Sequence, residues 1–203
     1  MMKPVSAASR WTVPPVTGPR AAVVVPVKAF ANAKMRLATV LEPGQRAELA
    51  RKMAEHVVTA AQPLPVIVVC DSPEVARWAQ SLGARALTAP GAGLNGAVNA
   101  AFQQLGREGY DRVVVAHSDL PLAAGLARLA ELDGIALVPD RRLEGTNVIS
   151  LPTRCGFRFA YGSGSFARHQ DEARRTGLPW QIVDDPGLAW DVDFPIDMTA
   201  VAP

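Results

Sequence analysis

Arg112-Val113-Val114-Val115-Ala116-His117-Ser118-Asp119-Leu120-Pro121-Leu122 is the stretch around which the rest of this chain is arranged. Three consecutive valines between Arg112 and Ala116 give it the composition of a strand buried on both faces. The run ends in a polar triplet, and Pro121 prevents the strand from continuing. In an open α/β sheet, ligands sit outside the carboxyl ends of the strands. Asp119 therefore stands where a carboxylate can hold a divalent metal against a phosphate. Read alone, it suits the cap of a following helix equally well.

Upstream, Ala21 to Val27 reads as a first buried strand, Val66 to Cys70 as a second and Ala84 to Thr88 as a short third. Between the first two, Pro43 and Gly44 open a helix in which Ala47, Ala50, Met53, Ala54, Val57, Val58 and Ala61 recur at helical spacing. Ser72 and Pro73 then supply an N-cap and first helical residue, and Gly83 a stop. This β-α-β-α-β order predicts a parallel sheet with right-handed crossovers. Downstream, a short helix is expected near Ala123–Leu132, then strands at Ile135–Val138 and Val148–Leu151 and a helix running to Thr176 before Gly177. The reading is one α/β domain over residues 21–203, with a mostly parallel central sheet flanked by helices.

Composition narrows the function. A net charge of +2 over 203 residues, with no Lys/Arg block, argues against nucleic-acid or membrane-surface partners. No apolar run approaches the roughly 20 residues that span a bilayer. Residues 1–20, with Lys3, Arg10, four prolines and no apolar core, read as a flexible arm and not a signal peptide. Cys70 and Cys155 lack metal-type spacing, and Cys70 reads as a core thiol, which fits a reduced, cytoplasmic setting.

Four further stretches carry chemistry. Lys28, Lys34 and Arg36 follow the first strand within nine residues and suggest a loop facing a polyphosphate; a solvated basic turn is the plainer alternative. Ala89 to Gly96 holds three glycines that let backbone N–H groups approach a ligand, before a helix from about Asn95 to Leu105. It is neither a Walker A loop nor a GxGxxG. Gly93 and Asn95 are its candidate nucleotide contacts, although Asn95 also suits the cap of its own helix. Tyr161-Gly162-Ser163-Gly164-Ser165-Phe166-Ala167-Arg168-His169 opens the last long helix, with Ser165 as N-cap and Arg168 in the first turn. Its free N–H groups and dipole make an anion site, and Gly-x-Gly exceeds what a plain helix start requires. Thr146 is a further hydroxyl for an anion, though strand edges often carry threonine without function. Finally, in Trp190-Asp191-Val192-Asp193-Phe194-Pro195-Ile196-Asp197, an extended backbone turns Asp191 and Asp193 to one face and Val192 and Phe194 to the other. Two such carboxylates repel unless a cation lies between them, and their spacing suits one or two Mg²⁺ ions. Asp197 is assigned to the next turn.

Together these features point to nucleotidyl transfer, in which an anionic acceptor attacks the α-phosphorus of a nucleoside triphosphate and expels pyrophosphate. Mg²⁺ held by Asp119, Asp191 and Asp193 aligns the two polyanions, and Lys28, Lys34 and Arg36 stabilise the leaving group. A phosphate acceptor is already ionised, so no general base is assigned. His117 is read as a shaping residue, and His56 and His169 as helix-surface or packing residues.

The same stretches carry a resemblance. Pro26-Val27-Lys28 with Ala33-Lys34-Met35-Arg36-Leu37-Ala38, Gly93-Leu94-Asn95, Asp119-Leu120-Pro121-Leu122, Pro139-Asp140 with Gly145-Thr146-Asn147, the Tyr161–His169 stretch, and Asp191-Val192-Asp193 with Pro195 and Asp197 occur in an order and spacing that is specific in combination. The chain resembles, from about Val23 to Ala200, the 2-phospho-L-lactate or phosphoenolpyruvate guanylyltransferases of deazaflavin coenzyme (F-420) biosynthesis. That resemblance implies a GT-A-like, Rossmann-like nucleotidyltransferase fold and GTP as donor. It also implies a metal on Asp119, Asp191 and Asp193, and phosphoenolpyruvate contacts at Thr146, Gly162 and Ser165. Met35 and Ser163 depart from the family pattern, where a small polar residue and a proline are common.

The expected acceptor is a small phosphorylated carboxylic acid: phosphoenolpyruvate, with 2-phospho-L-lactate and 3-phosphoglycerate as alternatives. A downstream transferase that takes the unstable product is a further expected partner. Pro26-Val27-Lys28 counts against a molybdenum-cofactor guanylyltransferase, which places a Gly-rich loop with Lys there. A lone Asp119 counts against a sugar-transferring enzyme, which usually carries Asp-x-Asp at that site. A catalytically inactive nucleotide-binding module has no reason to keep three such carboxylates.

Overall fold

The computed structural model describes residues 20–200; the expected arm up to residue 19 and the last three residues lie outside it. β1 (Ala21–Pro26), β2 (Val66–Cys70) and β4 (Arg112–Ala116) form where continuous apolar runs predict them. Their burial on both faces explains that composition. β3 (Arg85–Thr88), β5 (Ile135–Pro139), β6 (Thr146–Pro152) and β7 (Trp180–Ile182) complete a seven-stranded sheet in the order β3-β2-β1-β4-β6-β5-β7. The chain steps outward from β1 to β3 and then returns to place β4 on the other side of β1. That reversal opens a crevice above the carboxyl ends of β1 and β4.

β6 is the exception to the parallel rule, running antiparallel to both β4 and β5. The connection from β5 is too short to cross over, so the chain must double back. Asp140 pins this turn, its Oδ1 accepting the amides of Arg142 and Glu144 and its Oδ2 that of Gly145.

Alternation along β1 divides the core. Val23 and Val25 face α1 (Pro43–Ala60) and α2 (Pro73–Ser81), whereas Ala22 and Val24 face α3 (Gly93–Arg107) and α4 (Ser165–Thr176). α1 buries Ala50, Met53, Ala54, Val57 and Val58, as its spacing predicts, and a reciprocal Glu42–Gln45 capping box begins it.

Three local expectations change. The helix expected near Ala123–Leu132 is a six-residue 3-10 turn, Leu126–Glu131, preceded by Gly125 with φ of 61°. α3 starts at Gly93, so Asn95 lies inside its first turn and does not cap it. The cap of α4 is Gly164, at φ of 68°, and Ser165 is already helical. A short α5 (Pro186–Ala189) follows β7, its amides at Gly187 and Leu188 capped by Asp185. No helix among the described residues is long and apolar enough to cross a membrane.

Candidate active site

The crevice is built from three segments that the sequence holds far apart. β4 delivers His117, Ser118 and Asp119; the β1–α1 loop delivers Lys28, Lys34 and Arg36; the segment after α5 delivers Asp191 and Asp193. No helix follows Asp119, so the capping alternative is removed. Its backbone oxygen instead accepts the amide of Val192 at 3.2 Å, tying the two acidic segments together. Val192 is fully buried against Leu37 and Met53, which fixes the strip between the two distal aspartates.

Lys34 lies at the centre. Its Nζ donates to Asp119 Oδ2 at 2.5 Å and to Asp193 Oδ1 at 3.3 Å, while Arg36 donates to Asp193 Oδ2 at 2.7 Å. Lys34 itself sits at φ of 52°, in the left-handed region, and the residues around it form two short 3-10 turns, Phe30–Asn32 and Met35–Leu37. Burial alone lowers the Lys34 pKa, but the charges of Asp119 and Asp193 reverse this and hold it above its ordinary value. Burial likewise pushes Asp119 up, and the Lys34 charge with its hydrogen bond brings it below the usual carboxylate range. Both groups are therefore charged at neutral pH.

Asp191 behaves differently. Burial, then the negative charges of Asp119 and Asp193, push its carboxyl up to about 6. Its Oδ1 and Asp119 Oδ1 are both buried with no hydrogen-bond partner. Two buried oxygens left without donors in one acidic pocket are costly unless something else supplies positive charge.

Two clefts open from this centre. One, of about 330 Å³, runs beneath the β1–α1 loop between Lys34, Arg36 and Asp193. The other, of about 400 Å³, lies over the ends of β1 and β2 against Gly93, Leu94 and Ala97. Val27, Lys28, Ser118 and Asp119 line both, so Lys28 stands at their junction, and Gly93 lines the second.

A family profile described as "Guanylyl transferase CofC like" matches residues 21–202. The phosphoenolpyruvate guanylyltransferase of Sphaerobacter thermophilus is 41% identical over 189 residues, covering 88% of this chain and 91% of that protein. The chain belongs to the CofC-like guanylyl transferase family. A second relative, the phosphoenolpyruvate guanylyltransferase of Rubrobacter xylanophilus, is 36% identical over 86% of this chain and 90% of its own length. A solved nucleotidyl transferase from Methanothermobacter thermautotroptrophicus superposes with a TM-score of 0.66 at 17% identity, over 91% of this chain and 96% of that one; it shows the shared fold.

The CofC-like chain carries its remaining candidates on a row of rings leading away from Asp119. The His117 and Tyr161 ring centroids lie 5.0 Å apart, and those of Tyr161 and His169 4.9 Å. His169, read from sequence as a helix-surface or packing residue, is fully buried and works as a clamp. The Ala160 amide donates to its Nε2 at 2.9 Å, and its Nδ1 lies 2.9 Å from Thr146 Oγ1. Burial lowers its pKa to about 4, so the ring is neutral, Nδ1 carries the proton, and the Thr146 hydroxyl accepts it. The Thr146 proton is then left to donate elsewhere. Burial also lowers the His117 pKa, which keeps a second neutral imidazole beside Asp119.

The α4 start is tighter than expected. Its Ser165 and Phe166 amides are already taken by the Gly162 and Glu144 carbonyls, so they are not free for an anion. Arg168 folds back, donating to the Ala160 and Ser163 carbonyls, and shapes the loop at Gly162, whose φ is 120°. Asn95 does the same from α3, donating to the Tyr161 carbonyl and accepting its amide at 2.7 Å. Thr146, bonded to His169, and the Gly162–Ser165 turn are thus held by Asn95, Arg168 and His169, and none of Thr146, Gly162 and Ser165 lines either cleft.

Asp197, assigned to the next turn from sequence, belongs to this site as its brace. It is fully buried in a short turn (Pro195–Ala200), accepts the Asp193 and Phe194 amides at 3.0 and 2.8 Å, and pairs with Arg141 and Arg142. Burial would raise its pKa, but these amides and guanidiniums hold it below the usual carboxylate range. Phe194 does not join Val192 in the core: it is 41% exposed, with the Arg36 and Arg142 guanidiniums each 5.1 Å from its ring.

A divalent cation fits the donor chemistry here. Hard carboxylate oxygens are what Mg²⁺ takes, and two of them, on Asp119 and Asp191, are buried without partners. Among the described residues no three acidic, His or Cys side chains are yet gathered as a cation cage. The Lys34 ammonium lies across Asp119 and Asp193 instead.

Proposed function

We propose that this chain transfers GMP from GTP to the phosphate of phosphoenolpyruvate, giving enolpyruvyl-diphospho-guanosine and pyrophosphate. The observation that carries the chemistry is the pair of buried, unpartnered carboxylate oxygens on Asp119 and Asp191, beside the cations of the β1–α1 loop. The names of the Sphaerobacter and Rubrobacter relatives support the choice of donor and acceptor. A Methanocaldococcus infernus relative at 26% identity is named for 2-phospho-L-lactate, which makes that acid the alternative acceptor.

In this reading the phosphate oxygen of the acceptor forms a bond to the α-phosphorus, and the bond between the α- and β-phosphates breaks. Asp119, Asp191 and Asp193 would hold Mg²⁺, which would supply positive charge to neutralise the facing phosphates. Lys28, Lys34 and Arg36 lie where charge develops on the departing pyrophosphate. Thr146, with its proton freed by His169, and the Gly162–Ser165 turn are assigned to the acceptor. Neither buried imidazole moves a proton, because the attacking oxygen is already ionised and both rings are neutral. The reaction belongs to deazaflavin coenzyme (F-420) biosynthesis in the cytoplasm, where a downstream transferase takes the unstable product.

Purified protein with Mg²⁺ and each pairing of GTP or ATP with phosphoenolpyruvate, 2-phospho-L-lactate or 3-phosphoglycerate tests this directly. Pyrophosphate release is expected from GTP with phosphoenolpyruvate. Release from none of the pairings sinks the transferase reading, and release with 2-phospho-L-lactate alone moves the acceptor to the alternative.

A further inference from the structure

The second cleft contains a carboxylate that the chemistry above does not use. Crossing the sheet from β4 through β1 to β2, the residues at the strand ends are Ser118 and Asp119, then Lys28, then Asp71. The first three also line the cleft beneath the β1–α1 loop, whereas Asp71 lines only the second one. Neighbouring strands lie about 4.8 Å apart, so β4 and β2 are separated by roughly 10 Å. That distance is within the reach of a nucleotide, so one with its phosphates at Lys28 and Asp119 can place its base at Asp71 in the same cleft.

The walls at that end are apolar, formed by Pro26, Val69, Leu94 and Ala97, and suit the faces of a planar ring. Asp71 is solvent-exposed and, unlike Asp185 and Asp197, enters no ion pair among the described residues. Both of its oxygens are thus open to a ligand. An ionised carboxylate only accepts hydrogen bonds. Guanine presents two adjacent donors, N1–H and the 2-amino group, matched to two carboxylate oxygens. Adenine has a bare acceptor at N1, which a carboxylate repels.

We propose that Asp71 is the guanine-reading residue of this site, accepting from N1–H and the 2-amino group. This rests on the reading that GTP is the donor, and it names the residue that selects it.

The test is equilibrium binding of GDP, inosine diphosphate and 2′-deoxy-GDP to the full chain in Mg²⁺, for the wild type, Asp71→Ala and Asp71→Asn. Inosine diphosphate lacks only the 2-amino group. The wild type is expected to prefer GDP over inosine diphosphate. Asp71→Ala is expected to weaken GDP by about tenfold to a hundredfold, the range for hydrogen bonds to a charged group. Inosine diphosphate loses less, so the preference collapses to within about twofold. Asp71→Asn keeps the side chain's size and is expected to lose most of the preference, because one oxygen becomes a donor. An unchanged preference in both variants overturns the assignment. So does an equal loss for GDP and inosine diphosphate accompanied by a lost preference for the ribose 2′-hydroxyl, which places Asp71 on the sugar. The binding readout needs no turnover: a guanine preference that depends on Asp71, with no pyrophosphate release from GTP, removes the transferase reading and leaves this one standing.

Discussion

Asp191 and Asp197 lie six residues apart in one segment, both buried, and their environments are opposite. Asp197 receives two backbone amides and two guanidiniums, and its pKa falls. Asp191 keeps an oxygen without a partner beside two like charges, and its pKa rises to about 6. The contrast separates a carboxylate that builds the site from one that the site holds in reserve. A satisfied buried charge fixes geometry, whereas an unsatisfied one marks where a ligand's charge belongs.

Removing the reserved charge tests the comparison most severely. Asp119→Asn and Asp191→Asn are each expected to lower turnover by about a thousandfold or more in a pyrophosphate-release assay, with circular dichroism unchanged. Removing the brace acts on the fold as well. Asp197→Ala leaves two guanidiniums and two amides unpaired, at a cost of about 3–5 kcal/mol in denaturant unfolding. Asp197→Asn keeps an acceptor for the amides, and is expected to retain the fold while raising the Mg²⁺ concentration that half-saturates the reaction. If that requirement does not move, Asp197 does not position Asp193.

The raised Asp191 pKa gives the comparison a pH signature. In metal-free protein the native state holds this proton up to about pH 6, whereas the unfolded chain releases it near the ordinary value of 3.8. Between those values the native state binds more protons, so this group's contribution to stability falls as pH rises, by about 3 kcal/mol at most. Asp191→Asn should therefore be more stable than the wild type at pH 7.5 without metal, and equal to it near pH 3.5, in thermal melts. Saturating Mg²⁺ is expected to shrink the gap by stabilising the wild type alone. The smallest effect belongs to an exposed pair: Arg128→Ala removes the ion pair with Asp185, whose arginine side chain is 55% exposed. It should change stability by about 1 kcal/mol or less and leave turnover alone.

Much of the scaffold was legible in local pattern. The valine runs of β1, β2 and β4 are continuous because burial on both faces leaves no polar side, and α1 shows its buried stripe directly. Asp119, Asp191 and Asp193 were readable as candidates because each ends or interrupts an apolar stretch. His169 was under-read because a lone histidine in a polar helix gives no sign that its ring meets Thr146, 23 residues earlier. The loop-holding contacts of Arg168 and Asn95 were not legible, since a polar side chain beside glycines suits a ligand and a loop carbonyl equally well. Asp197 was passed over because nothing local announces the arginines 55 and 56 residues before it.

The sequence by itself determined most elements up to α4, the mostly parallel sheet and the three acidic positions, because hydrophobic periodicity and strand-end polarity act over a few residues; the short β7 and α5 it did not announce. Tertiary structure alone decided that Lys34 bridges Asp119 and Asp193, 85 and 159 residues away, that β6 turns back, and that one distal aspartate braces while another waits. Those outcomes depend on burial and on which charges become neighbours, and both exist only once the sheet order has brought distant strand ends to a single crevice.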